Sequence, residues 1–274
     1  MTRRLLIFLA PALALAAGAA YEAEINQFRQ HREARLKAED GWLTVAGLFW
    51  LHDGANAFGK DAGNRIPLPA GPAQAGTFEL HDGKVSVVMG GMHRALQPDS
   101  SDVVQVDRLK LFVIKRGDRV GVRLKDPASE YRRDFHGLDY FPVRDEYRIA
   151  AKWVAAPRQI PILNIIGQTE PSECPGYAIF QLAGKEHKLY PILEDPADKE
   201  LFFIFRDQTS GKETYGAGRF LYSDLPRNNQ VVLDFNKAVN PPCAFTPYAT
   251  CPLPPPENRL AVRIEAGEKK YGNH

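Results

Sequence analysis

The chain has 274 residues, of which 44% are hydrophobic and 25% charged, a composition typical of a folded protein and not of a disordered one. Its 35 lysines and arginines almost balance its 33 aspartates and glutamates. A protein so close to neutral lacks the broad positive field with which nucleic-acid binders displace counterions. Nucleic acid is therefore excluded as an expected partner.

The first 20 residues predict a secretory signal peptide. Arg3 and Arg4 precede an apolar and small-residue run of 16 residues from Leu5 to Ala20, and the small residues at its end suit a signal peptidase. A membrane anchor is the alternative, but such a run rises only about 24 Å as a helix, less than the roughly 30 Å hydrocarbon core. Cleavage would leave 33 basic and 33 acidic residues. We expect a periplasmic or secreted protein with no stable transmembrane anchor after cleavage.

Residues 21–40 predict the one helix of the mature chain. Ile25, Phe28 and Leu36 can share one helix face, and charged residues surround them. Gly41 is placed to end this helix. We expect the helix to pack against the body of the protein.

From residue 41 onward, short apolar runs between turn residues predict antiparallel strands. Gly83 lies in a hairpin turn between strands at 77–80 and 84–89, and Gly117 lies in a second one between strands at 109–116 and 119–125. Further strands are predicted at 177–182, 186–192, 201–205, 214–221, 231–235 and 260–264. This spacing, with no helical pattern in between, predicts a mainly β fold with an antiparallel, sandwich or barrel-like body.

The segment from Pro157 to Pro161 offers a junction between two β halves, at residues 41–156 and 157–274. The run from Ile160 to Ile166 is typical of a buried strand and fits either half. The length of the chain also fits one large β domain. One domain and two domains therefore both remain open.

The segment from Arg119 to Arg148 is the first that can carry chemistry. Its guanidinium groups can hold a carboxylate, a phosphate or an acidic sugar through bidentate hydrogen bonds. The candidate ligand-binding residues in it are Arg123, Asp126, Ser129, Arg132, His136, Tyr147 and Arg148. The alternative is a solvated strand face followed by a turn held by Arg–Asp pairs, because exposed charge is common on antiparallel sheets.

The segment from Asp207 to Arg219 is rich in glycine and hydroxyl residues, as phosphate-binding loops are. It lacks the Gly-Lys-Ser/Thr spacing of such a loop, and no helical pattern follows it. A hairpin whose Asp and Thr side chains bond to their own backbone explains the composition better. The candidate ligand-binding residues here and just beyond are Asp207, Thr209, Tyr215, Arg219 and Asn236.

The segment from Asp234 to Pro256 is rich in proline and aromatic residues, which predicts an ordered loop held against the body. It contains Cys243 and Cys251, and Cys174 is the remaining cysteine. In an oxidising compartment we expect a disulfide between Cys243 and Cys251. Two buried thiols, or a bridge from Cys174 to either partner, are the alternatives.

Signatures of metal and cofactor sites are missing from the sequence. It contains no Cys-x-x-Cys, no His-Glu-x-x-His, no Gly-x-Ser-x-Gly and no dinucleotide-binding fingerprint, and its histidines are scattered. We therefore expect no metal and no cofactor.

The sequence resembles the bacterial family of proteins of unknown function DUF1684, over roughly residues 40 to 268. The most specific part of the resemblance is the proline- and cysteine-rich segment. The matching segments are Gly41–Leu43, Gly47–Leu51, Arg123–Arg148, Asp207–Gly211, Thr214–Tyr215, Gly218–Leu221, Asp234–Asn236, Asn240–Thr246, Cys251–Pro255, Asn258–Leu260 and Ala266–Glu268. The resemblance implies membership of the family, and it implies no reaction, cofactor or ligand.

Three hypotheses of function follow from these residues. The first is a periplasmic binding or accessory module, in which Arg123 and Arg219 clamp a small polar or anionic ligand beside Tyr215 and Asn236. The second is a hydrolase of envelope material with Asp126 or Asp207 as general base and His136 as acid. The third is a purely structural role in the envelope. The first two require that segments far apart in the chain meet at one site.

Overall fold

The computed structural model describes residues 9–195 and 197–272. Arg3 and Arg4 of the predicted signal peptide lie outside these residues. Helix α1 spans Leu9–Lys37, so it begins before the predicted helix and continues into it through position 20. In the described part of the chain, no helix combines the length and the apolar character needed to cross a membrane.

Helix α1 is packed against the body from Tyr21 onward. Tyr21, Ile25 and Leu36 are buried, as the predicted apolar face requires. A short loop after the helix passes close to its last turn. A Cβ atom at position 41 would lie 2.4 Å from the carbonyl oxygen of Arg35, so only glycine permits this close approach.

The N-terminal half contains two sheets. Its strands are β1 (Val45–Trp50), β2 (Gly54–Gly59), β3 (Ile66–Pro67), β4 (Gly76–His81), β5 (Lys84–Met89), β6 (Met92–Leu96), β7 (Val104–Val106), β8 (Leu109–Arg116) and β9 (Arg119–Lys125). They form a five-stranded sheet in the order β3-β2-β4-β5-β6 and a four-stranded sheet in the order β1-β9-β8-β7. All described pairs in these sheets are antiparallel except β2 with β3.

Both predicted hairpins of this half are confirmed. Strands β8 and β9 have the predicted bounds, and Arg116 pairs with Arg119 across the turn. Gly83 and Gly117 have φ angles of 75° and 57°, the left-handed region that glycine enters without steric cost.

The C-terminal half contains two further sheets. Its strands are β10 (Arg148–Leu163), β11 (Thr169–Leu182), β12 (Lys185–Leu189), β13 (Pro191–Ile192), β14 (Glu200–Phe205), β15 (Arg219–Asp224) and β16 (Gln230–Asp234). One sheet has the order β12-β11-β10-β16 and the other has the order β13-β14-β15. The short helix α2 (Glu130–Arg133) precedes this half, and five single-turn 3₁₀ segments lie at Trp42–Thr44, Asp145–Tyr147, Phe235–Lys237, Pro242–Ala244 and Pro256–Asn258.

Each half has its own hydrophobic core. The core of the N-terminal half includes Phe58 and Phe78 from one sheet and Val122 from the other. The main core of the C-terminal half includes Trp153 and Phe203 from its two sheets. The mainly β fold with antiparallel sheets and one N-terminal helix is therefore confirmed, and the sheets of the described residues remain open.

The predicted junction at Pro157–Pro161 lies inside a continuous strand. Strand β10 runs through both prolines, and its pairing with β11 shifts register between Ala155 and Arg158. The irregularity accommodates Pro157, since a proline cannot donate to the ladder, whereas Pro161 lies in the regular part of the pairing, opposite Pro171. In the sequence, the segment between β9 and β10 separates the strands of the two main cores.

A smaller cluster lies where α1, the N-terminal half and the cysteine-rich segment meet. Phe202 and Cys251 are buried in it, and Phe28, Trp42 and Cys243 pack against it at its rim. Phe28 of α1, Trp42 of the N-terminal half and Cys243 of the cysteine-rich segment, which are distant in the sequence, therefore pack against one cluster.

Candidate functional site

The candidate ligand-binding residues do not all meet at one place. The structure divides them among a buried ionic network in the C-terminal half, a network around Tyr21 of α1, an ion pair at the end of β9, and a junction between the halves. Each is described in turn, because burial and hydrogen bonding decide which of them an external ligand can reach.

Arg219 lies at the start of β15 and is fully buried. Its Nη2 lies 3.5 Å from Asp207 Oδ1 and donates to the carbonyl oxygen of Ile264 at 3.0 Å, and its Nη1 donates to the carbonyl oxygen of Ala266. Burial lowers the pKa of Arg219, and the charge of Asp207 opposes that shift. Arg219 is a structural cation, out of reach of a ligand that arrives from solvent.

Asp207 and Thr209 belong to the same network. Asp207 Oδ1 accepts from the Thr209 hydroxyl at 2.8 Å, and Oδ2 accepts from the Ile264 N–H at 2.6 Å. Thr209 also shares a hydrogen bond of 2.9 Å with the hydroxyl of Thr214. The predicted hairpin is present, between β14 and β15. The Asp207 and Thr209 side chains bond to other side chains and to the distant Ile264 N–H, however, and not to the backbone of their own turn as predicted.

A second buried ion pair joins α1 to the end of the chain, and sequence reasoning missed it. Glu268 is fully buried and accepts from Arg32 Nε at 2.9 Å and from the Asn240 N–H at 2.6 Å. Burial raises the pKa of Glu268, and Arg32 and Asn240 lower it in part. The two charges are separated by 236 positions, so no local pattern could have paired them.

Asn236 is buried in a network around Tyr21. The Tyr21 hydroxyl donates to Asp234 Oδ1 at 2.8 Å, and Asn236 Nδ2 donates to the Tyr21 hydroxyl at 2.9 Å. Burial raises the pKa of Tyr21, and the hydrogen bond to Asp234 raises it further. Asn236 therefore fixes the helix to the body and is not free to bind a ligand.

Four further candidate residues, Ser129, Arg132, Tyr147 and Arg148, differ in how far contacts within the protein occupy them. The Tyr147 hydroxyl accepts from Arg144 Nη2 at 2.9 Å, Arg132 donates to the carbonyl oxygen of Lys37 at 2.7 Å, and Arg148 is exposed beside the Tyr21 ring. Ser129 is buried, and its hydroxyl has no partner within the described residues.

Asp126 forms a bidentate ion pair with Arg108. The two carboxylate oxygens accept from Arg108 Nε and Nη2 at 2.8 and 3.0 Å. Burial raises the pKa of Asp126, but hydrogen bonds from Arg108 and the Ala128 N–H outweigh it, and the net pKa lies below the ordinary value. A carboxylate held in this way is a weak general base.

His136 is exposed and makes no hydrogen bond to the Arg108–Asp126 pair in the described structure. Within residues 9–195 and 197–272, neither Asp126 nor Asp207 hydrogen-bonds to His136. The acid–base pair of the hydrolase hypothesis is thus not assembled in the described structure.

Arg123 differs from every other candidate. It is half-buried on β9, its guanidinium lies 5.2 Å from the centre of the Trp42 ring, and no described carboxylate lies within 4 Å of it. Its Nη2 makes a long contact of 3.4 Å to Thr250 Oγ1, and its Nε is buried without a partner. Nη1 makes no hydrogen bond to the described residues, yet it is not fully enclosed, so it is the nitrogen that an anion can reach.

The charged neighbour of Arg123 is Arg116, which is itself paired with Asp99, since Arg116 Nη1 lies 2.9 Å from Asp99 Oδ1. Arg116 Nε donates to the same Thr250 hydroxyl at 3.0 Å, so two guanidinium groups converge on one oxygen. Burial lowers the pKa of Arg123 to about 10, and Arg116 contributes to that shift. At neutral pH the group remains charged. We call Trp42, Arg116, Arg123 and Thr250 the junction site, because they join the N-terminal half to the cysteine-rich segment.

Cys243 and Cys251 border the junction site. Both are free thiols in the structure, as is Cys174. The Cys243 N–H donates to Cys251 Sγ at 3.2 Å, and the Cys251 N–H donates to Cys243 Sγ at 3.3 Å. Tyr215 lies against this pair, with its hydroxyl 3.3 Å from the carbonyl oxygen of Cys243. Burial raises the pKa of Tyr215 to about 12.

Two surface grooves lie in the C-terminal half and along α1. A groove of about 400 Å³ is lined by Glu24, Gln27, Phe28, His31, Arg32 and Arg35. A groove of about 410 Å³ is lined by Glu194, Asp198, Lys199, Glu200, Phe202, Tyr222 and Asp224. Phe28 of the first groove and Trp42 of the junction site pack against the same hydrophobic cluster.

Metal binding is not indicated by the arrangement of ligand types. Among the residues that the structure describes, no group of three or more His, Cys, Asp or Glu side chains is placed to hold a metal ion.

Comparisons with known proteins agree with the sequence resemblance. The family model described as "Protein of unknown function (DUF1684)" matches residues 133–269. A solution NMR structure of an uncharacterized protein from Haloarcula marismortui is 32% identical, with 52% of this chain and 81% of that chain covered and a TM-score of 0.44. No curated protein matches the chain.

Proposed function

The chain belongs to the DUF1684 family, and we propose that it is an exported module that binds a small anionic ligand at the junction site. The observation that carries the proposal is Arg123, a shielded guanidinium without a carboxylate partner. A buried charge costs free energy unless it is paired, and a ligand carboxylate or phosphate would supply the missing pair. Guanidinium is well suited to these planar and tetrahedral anions.

The neighbouring groups support an anion rather than a cation. Arg116 is already paired with Asp99 at 2.9 Å, which leaves Arg123 as the cation of the junction site without a carboxylate partner. The Thr250 hydroxyl that both arginines contact can donate its proton to an anion. The indole of Trp42 covers one face of the Arg123 guanidinium, which excludes water from that side. These contacts favour a single charged head group.

We infer that the rest of a ligand occupies the groove along α1, whose residue Phe28 packs on the same hydrophobic cluster as Trp42. Its volume of about 400 Å³ is in the range of small-molecule sites, and His31, Arg32 and Arg35 line it beside the apolar ring of Phe28. A compact organic acid with an apolar or sugar body fits this combination better than a bare inorganic ion.

Titration calorimetry tests the proposal. The purified protein is titrated with inorganic phosphate, succinate and D-galacturonate, and we expect saturable binding of at least one of them. The variant Arg123→Met should weaken that binding at least tenfold, because the charged guanidinium is lost while an unbranched apolar stem is kept.

Arg119→Met is the matched control. Arg119 lies on the same strand and its guanidinium lies 3.9 Å from the centre of the Trp50 ring, but it is exposed. Its loss should leave the affinity unchanged. No binding of any probe, or equal loss in both variants, would refute the proposal and favour a structural role.

Export is the second part of the proposal. The signal-like composition of the first 20 residues supports it, as does the burial pattern of α1. Ala19 and Ala20 are exposed, whereas Tyr21 is the first described residue that the body buries. A cut before Tyr21 would therefore separate the exposed Ala19 and Ala20 from the first described side chain that the body buries.

N-terminal sequencing after expression with the native leader checks this part. We expect the periplasmic fraction to contain protein that begins at Tyr21, with Cys243 and Cys251 joined by a disulfide. Full-length protein retained inside the cell would contradict it.

A further inference from the structure

Cys243 and Cys251, beside the junction site, are held next to each other by reciprocal hydrogen bonds. Each sulfur accepts the backbone N–H of the other cysteine, at 3.2 and 3.3 Å. The segment between them is held by the Thr246 hydroxyl, which donates to the carbonyl oxygen of Val45 at 2.9 Å. The two thiols are thus fixed side by side, and closing a disulfide requires no rearrangement of distant parts of the chain.

The two thiols are not equivalent. Cys243 is half-buried at the rim of its cluster, whereas Cys251 is only 6% exposed. A hydrogen bond from the Cys251 thiol lowers the pKa of Cys243, with further help from the Cys251 N–H and from Arg123 against the effect of burial. The same bond and burial raise the pKa of Cys251.

Cys174 provides an internal contrast. It is buried on β11, its thiol donates to the carbonyl oxygen of Gly176 at 3.2 Å, and burial raises its pKa. It shows no sulfur contact with either partner in the described structure. The N–H to sulfur contacts of the structure link Cys243 with Cys251.

We propose that Cys243 and Cys251 form a redox-active dithiol, in which Cys243 attacks small-molecule disulfides and Cys251 resolves the product. The thiolate is the reacting form of cysteine, and the partly exposed thiol beside N–H donors and a guanidinium is the one stabilised as a thiolate. The proposal does not depend on ligand binding at Arg123, because its readouts need no ligand.

The exchange balances in two steps. The Cys243 thiolate attacks one sulfur of a small disulfide, so that a Cys243 mixed disulfide forms and one small thiolate leaves. The Cys251 thiol then gives its proton to solvent and attacks Cys243 Sγ, which forms the Cys243–Cys251 bond and releases the second small thiolate. The protein loses two electrons, and the small disulfide is reduced to two thiols.

Trapping with oxidised glutathione distinguishes the two roles. In the reduced Cys251→Ser variant, we expect a stable mixed disulfide at Cys243, detected by mass spectrometry of the proteolytic peptides. In Cys243→Ser, the mixed disulfide at Cys251 should form at least tenfold more slowly. Cys174→Ser should behave as the wild type and form the Cys243–Cys251 disulfide.

A pulse of iodoacetamide on the reduced wild-type protein compares the reactivity of the two cysteines directly. Cys243 should be alkylated at least tenfold faster than Cys251, and Arg123→Met should slow the Cys243 reaction about three- to tenfold, since one pKa unit is a factor of ten in the thiolate population. Equal rates at the two cysteines would overturn the proposal. A Cys243–Cys251 disulfide that excess reduced glutathione fails to open would also overturn it, because that behaviour marks a permanent structural bridge.

Discussion

Arg219, in the buried network, and Arg123, at the junction site, are both shielded cations, but their ion-pair and hydrogen-bond partners differ. Both leave Nε without a partner. Arg219 has Asp207 as a counter-ion and two backbone carbonyl acceptors. Arg123 has one long contact to Thr250, and the nearby carboxylate of Asp99 is paired with Arg116 instead. A paired buried charge is part of the fold, and an unpaired one points to a partner outside the chain.

The largest effect is expected at the paired arginine. Arg219→Met leaves the Asp207 carboxylate buried without its counter-ion, and the free energy of unfolding should fall by about 3–5 kcal/mol. Urea unfolding followed by circular dichroism measures it. The double variant Arg219→Met with Asp207→Leu should lose less, since no charge is then stranded. If the free energy of unfolding of Arg219→Met fell by less than about 1 kcal/mol, Arg219 would not differ from Arg123 in its contribution to stability.

A smaller loss is expected where α1 meets the body. Tyr21→Phe removes the hydroxyl that bonds to Asp234 and Asn236, and the free energy of unfolding should fall by about 1–2 kcal/mol. Tyr222→Phe is the control, because Tyr222 is 43% exposed and should be nearly neutral. Equal effects of both variants would mean that the network around Tyr21 does not hold the helix.

Acid should weaken the ion pair at the end of β9. The pKa of Asp126 lies below its ordinary value in the folded protein, so its contribution is present above the unfolded pKa of about 4 and is lost as the pH falls through the lower, folded pKa. We expect Asp126→Asn to lose about 1 kcal/mol at pH 7 and to flatten this part of the acid-unfolding curve. An unchanged pH dependence would show that Arg108 does not stabilise the carboxylate.

The smallest change in stability is expected at the unpaired arginine. Arg123→Met removes a shielded charge that has no counter-ion, so the free energy of unfolding should stay within about 0.5 kcal/mol of the wild type or rise. The same urea titration measures it. A loss comparable to that of Arg219→Met would assign Arg123 to the fold and not to a ligand site.

Local patterns predicted the local structure well. The hairpin of β8 and β9 follows from strand alternation and a glycine turn, both of which lie within a few residues. The predicted strand at 214–221 begins only at Arg219, because the residues before it form the turn around Thr209 and Thr214. Residues 260–264 form no ladder strand in the described structure, although Leu260 and Ile264 are buried as the apolar pattern predicts.

The site was predictable only in part, because its chemistry depends on contacts between distant segments. Arg123 and Arg219 have similar sequence surroundings of strand and turn residues, and both were expected to clamp a ligand. The partners that separate them are Asp207 with the backbone near Ile264 in one case and Thr250 in the other. Sequence alone gives no sign of which arginine has a counter-ion.

Nuclear magnetic resonance of the arginine Nε–H groups compares the two cations most directly. With ¹⁵N-labelled protein, we expect the Arg123 signal to shift saturably on titration with D-galacturonate or inorganic phosphate, while the Arg219 signal stays in place. Arg123→Met identifies the signal that belongs to the junction site. An Arg123 signal that ignores every anion, or one that moves together with Arg219, would contradict binding at the junction site.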